Sequence, residues 1–133
     1  MRVALAIGIT VWTLAAWGGR IGLLTSGEGI GAWMRIGGSL LIGLFAAATL
    51  ALPQLESARK PALLVFSVFT VLLWVRSLIV NWVGDGSLPF KLVHTVLALG
   101  FFALAWWAYS YTASPPETAP EPEAVASGPE GHP

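Results

Sequence analysis

Arg76 is the residue whose chemistry most needs explaining. It stands inside an apolar run, residues 62–83, that holds fourteen Leu, Ile, Val or Phe side chains. An arginine at the centre of a membrane helix costs roughly 2.5–3.5 kcal/mol, and that many apolar residues contribute roughly −4 to −8 kcal/mol. The run therefore still inserts, and its hydrophobicity gives no reason for the charge. His94 lies in the next apolar run, at a similar distance from the turn 84–87. An antiparallel hairpin would bring the two to matching depth, about 10 Å from one interface. Arg20, Arg35, Asn81 and Lys91 fall near the segment ends that alternating spans would bring to that same side. Guanidinium, ammonium, imidazole and amide groups together would suit an anionic group, a lipid headgroup or a quinone carbonyl. The competing reading is structural, with Arg76 snorkelling to the interface and His94 hydrogen-bonded inside a bundle. Arg76 also sits about 100° around the helix from the stripe Ser67, Thr70, Trp74, Ser77, Asn81. That offset predicts a different neighbour for it, or a second protein.

Other chemistry finds little footing. The absence of cysteine removes disulfides, thiolate nucleophiles and thiolate metal sites. His132 lies in the C-terminal segment, so bis-histidine haem ligation would need a dimer. There is no H-E-x-x-H, nucleophile elbow or P-loop. Gly27-x-Gly29-x-Gly31 comes after no strand and completes no dinucleotide fingerprint. Glu28, Glu56 and Asp85 are scattered over different connections. Seven basic residues, mostly near segment ends, do not make a nucleic-acid surface. The sequence thus implies no catalytic residue, no metal and no cofactor.

The elements that must position these groups are membrane helices. Of 133 residues, 56% are hydrophobic and 11% charged, against about 25% charged in a soluble domain. So few charges leave lipid as the solvent for much of the surface. Four apolar runs, 3–24, 31–52, 62–83 and 90–112, each approach the ~20 residues that cross a bilayer. The predicted fold is an all-α, four-transmembrane-helix bundle over residues 1–112, treated as one domain. A signal-like start, Met1-Arg2 before an apolar stretch, is read as a retained first helix, since Trp12 and Trp17 interrupt it and no cleavage motif comes after it. Pro61 and Pro89 are expected to open the third and fourth helices, where the missing N–H would be unpaired anyway.

Small residues predict where helices meet. Ser39, Gly43, Ala47 and Ala51 recur every four residues and form a close-packing stripe. Gly18-x-x-x-Gly22 is a shorter version. Thr10, Thr13, Trp17 and Arg20 share one face of the first helix, and Lys91, His94, Thr95, Ala98, Ala105 and Tyr109 one face of the fourth. Trp82, Trp106, Trp107, Tyr109 and Tyr111 lie near segment ends, as interfacial anchors do. The segment 113–133 is rich in Pro, Glu, Ala, Ser and Gly and is expected to be a disordered acidic tail. Four spans put both termini on one side with the loop 54–60. Arg2, Arg59 and Lys60 there make the cytoplasm the expected side, on a narrow count against Arg20, Arg35 and Lys91.

Residues 35–107 resemble small bacterial DoxX-like four-helix membrane proteins. The resemblance rests on Arg35-Ile36-Gly37-Gly38, Gly43-Leu44, Arg59-Lys60, Arg76 and His94-Thr95-Val96-Leu97. It implies a four-helix inner-membrane bundle without assigning an activity. Some members are linked to quinone or thiol oxidation, and the lack of cysteine here speaks against the thiol role. The sequence reading is a non-enzymatic accessory or scaffold protein of the inner membrane. Its partners would be the lipid bilayer and other membrane proteins or further copies of itself. The alternatives are binding or passage of a small anionic or quinone-like molecule at the Arg/His site, and a membrane oxidoreductase subunit.

Overall fold

The computed structural model describes residues 1–21 and 29–113, which form helices and turns with no strand among them. Helix α1 covers Arg2–Trp17, and a 3-10 turn, Gly18–Arg20, carries it further. The second helical run starts with a turn at Ile30–Ala32, widens into a π-helical turn at Trp33–Gly37 and continues as α2, Gly38–Ala51. Leu52 is extended (φ −100°, ψ 119°), the conformation that a proline imposes on the residue before it. A 3-10 turn at Pro53–Leu55 leads into α3, Glu56–Val83. Gly84 is also extended (φ −76°, ψ 168°), and after the short connection to Ser87 the chain enters α4, Leu88–Ala113.

Each helix packs on its chain neighbour, and α4 returns to pack on α1. Thr13 meets Gly43, while Trp17 and Arg20 share a cavity with Arg35 and Ile36, so α1 and α2 run antiparallel. The short connections after α2 and α3 impose the same alternation. The result is a four-helix ring whose centre holds Leu5, Ile9, Leu63 and Phe66 at 2% exposure or less. Above them Trp17 tilts against Trp74 (6.1 Å between centroids), and Trp74 stacks on Phe101 (5.0 Å). Outward faces carry Val68, Leu72, Ile79, Val96, Leu99 and Trp106, all exposed, as a lipid-facing surface requires.

Two contacts show how close the backbones come. A methyl group added at Gly43 would lie 2.6 Å from Thr13 Oγ1, and one added at Gly100 would overlap the Trp12 indole. Trp12 Nε1 donates to the Leu97 carbonyl at 3.2 Å, tying α1 to α4. Thr13 Oγ1 is the one buried side-chain polar atom among the described residues with no hydrogen-bond partner. Ser39, Gly43 and Ala47 are buried; Ala51, at the end of their row, is exposed.

Three helical runs are long and apolar enough to cross a membrane: Trp33–Ala51, Pro53–Val83 and Leu88–Ala113. Arg2–Trp17 is apolar but shorter. The third helix starts earlier than its apolar run: the segment 54–60, expected as a loop, is a 3-10 turn leading into the first residues of α3, and Pro61 lies inside the helix. Pro61 removes only the N–H that would reach the Ser57 carbonyl, and Ser57 is exposed and open to water. At the other end, Ala113 belongs to α4 and not to the tail. The rest of that tail, Gly22 and Glu28 lie outside the described residues.

Candidate functional site

At one end of the ring the helices border an open cavity of about 400 Å³. All four contribute to its wall. Trp17 and Arg20 come from the end of α1, Arg35 and Ile36 from the π-helical turn before α2. The last turns of α3 supply Leu73, Trp74, Arg76, Ser77, Val80 and Asn81, and the first turns of α4 supply Phe90 and His94. Of the six polar residues predicted from sequence, Arg20, Arg35, Arg76, Asn81 and His94 share this wall.

Lys91 does not line the cavity. Its ammonium donates to the Trp82 carbonyl at 3.3 Å and lies 6.0 Å from the centre of that indole. Trp82 Nε1 in turn donates to Thr95 Oγ1 at 3.1 Å. Lys91 thus fastens the α3–α4 hairpin. Arg76 corrects the opposite expectation. Its Cα sits off the polar stripe, as the 100° offset implies, yet the guanidinium stands on a long stem and the residue lines the cavity with the stripe members Ser77 and Asn81. The stripe angle describes where a side chain leaves the helix, and a long stem can bring its head back.

His94 is buried at 5% exposure, and both ring nitrogens have partners. Nδ1 lies 3.0 Å from the Phe90 carbonyl, and Nε2 lies 3.0 Å from Arg20 Nη2. A carbonyl can only accept and a guanidinium can only donate. These partners assign the proton to Nδ1 and a lone pair to Nε2, which accepts from Arg20. Arg20 also lies over the Trp17 ring, 5.5 Å from its centroid, a cation–π contact that fixes its stem. Asn81 Nδ2 donates to Ser77 Oγ at 3.3 Å.

Arg35 sits on the π-helical turn, which places an extra residue in the turn and re-aims the side chains of the next residues. Ser39 Oγ donates to the Arg35 carbonyl. Arg35 and Arg76 are both exposed, and neither has a side-chain hydrogen bond or ion pair to another described residue. The described wall has three arginines and no acidic residue. The ion pair among described residues, Arg59 with Glu56 at 3.1 Å, belongs to the start of α3. No group of three potential metal ligands occurs among the described residues.

The apolar part of the wall was not in the sequence-predicted site. Trp17, Ile36, Leu73, Trp74, Val80 and Phe90 supply it. Trp17 carried a signal, three residues before Arg20 on one face; Phe90, four before His94, carried the same one. Their rings do different work: Trp17 and Trp74 floor the cavity, and Phe90 packs on His94 with centroids 4.0 Å apart. Compared with family models, curated proteins and solved structures, the chain matches none.

Proposed function

We propose that this chain is a small integral membrane protein that binds a molecule bearing an anionic group in the cavity between its helix ends. The observation that carries the reading is the convergence of Arg20, Arg35 and Arg76 on one partly apolar cavity whose described lining has no carboxylate. Guanidinium groups present several donors in a fixed fork that matches the oxygens of a carboxylate or phosphate. The DoxX-like resemblance, a four-span arrangement in the inner membrane and cytoplasmic termini belong to the same proposal. An accessory role in a larger assembly is compatible with it. The groove between α1 and α2, lined by Ala6, Thr10, Ala47, Ala48 and Ala51 among others, has the small side chains that favour helix contact in lipid.

Arg76→Gln tests the binding reading. Arg76 has no described hydrogen bond to lose, so the variant should be extracted and should elute in neutral detergent like the parent. Anionic amphiphiles should raise the thermal midpoint of the parent and raise that of Arg76→Gln much less; zwitterionic ones should do neither. Equal shifts for parent and variant would refute the site.

A further inference from the structure

We infer that the group bound at this site is a phosphate in its doubly charged form, in preference to a singly charged anion. The inference rests on the anion-binding reading above and narrows it by charge and shape. Three arginines line the described cavity, and His94 adds no competing negative charge, since its lone pair is turned to Arg20 at 3.0 Å. A carboxylate would offset one of three like charges, and a phosphate dianion offsets two. Its oxygens can also be reached from several directions. That suits guanidinium groups arriving from α1, from the turn before α2 and from α3, each able to make charge-assisted, paired hydrogen bonds. Ser77 Oγ accepts from Asn81, which leaves its hydroxyl hydrogen for a further oxygen. The cavity, at about 400 Å³, has room beyond a phosphate group, and Ile36, Leu73, Val80 and Phe90 give that room an apolar wall. Two sources share this chemistry: free inorganic phosphate and the phosphate head of a lipid.

Purified full-length protein in neutral detergent, titrated by tryptophan fluorescence, separates the outcomes, because Trp17 and Trp74 line the cavity. The probes are inorganic phosphate, dodecyl phosphate and dodecanoate at pH about 8, where a phosphate monoester is doubly charged. Dodecyl phosphate should bind at least about tenfold more tightly than dodecanoate, the size of one charge-assisted hydrogen bond. Arg35→Gln and Arg76→Gln should each shrink that gap, while Arg76→Lys should preserve part of it. A response to inorganic phosphate identifies a soluble source, and a response confined to dodecyl phosphate identifies a lipid one; either supports the assignment. Dodecanoate binding as tightly as dodecyl phosphate would overturn the phosphate inference and leave the anion site standing. If none of the three probes binds, both readings fall.

Discussion

Single residues do two kinds of work here, and the glycines show the difference. Gly100 lies under the Trp12 indole, and Gly18 has nothing within 4 Å of where a Cβ would stand. Gly100→Ala must push Trp12 off the Leu97 carbonyl or part α1 from α4. Overpacking of that kind costs about 1–3 kcal/mol. Gly18→Ala, at helical φ −59° and ψ −43°, should be neutral or stabilising by up to about 1 kcal/mol. Denaturant or thermal unfolding of the two variants in one detergent checks the contrast. The polar residues of the cavity were legible in the sequence, because arginine and histidine inside apolar runs stand out by type. Their apolar companions were not. Leu73, Val80 and Ile36 look like any lipid-facing residue until the helices are placed, and the sequence does not say which way they turn. Lys91 failed for a related reason: its flexible stem could reach the cavity or the Trp82 carbonyl, and only the fold decides.

At the scale of elements, the junction of α2 and α3 shows a defect and its repair. Helical geometry would bond the Thr49 carbonyl to the N–H of residue 53, but that residue is proline and has none. Thr49 is fully buried, so its carbonyl would go without a partner away from water. Arg59 Nε donates to it at 3.0 Å, while Arg59 Nη1 pairs with Glu56. A cation at the C-terminus of α2 is also favoured by the helix dipole. By sequence alone Arg59 counts as a loop charge, because Pro61 marks the expected start of the helix. The reach back to Thr49 is a non-local contact that periodicity does not encode. Arg59→Met should therefore cost about 1.5–3 kcal/mol, the value of a hydrogen bond involving a charged group. Lys60→Met, beside it but exposed, should cost little; unfolding midpoints of the pair decide.

For the whole molecule, the apolar runs announced an all-helical bundle, and hydrophobic length carried that information directly. Helix α1 sets the span count, because it is apolar but shorter than the three runs long enough to cross. Its regular segment has 16 residues, about 24 Å at 1.5 Å per residue, short of a ~30 Å hydrocarbon core. The turn Gly18–Arg20 extends it, and it packs against both α2 and α4. A four-span arrangement predicts that reporters fused to the N- and C-termini read out in the same compartment. Opposite compartments would mean that α1 lies within the bundle without crossing.

Trp17 and Trp74 belong to the wall of the cavity and, with Phe101, to the wall of a far smaller space of about 10 Å³, at the lower limit of what one water molecule needs. A molecule bound in the larger space, as proposed, would find little room to pass inward beyond these rings. If the proposed four-span arrangement holds, occupancy would follow the composition of the leaflet at that end of the helices and not that of the opposite one.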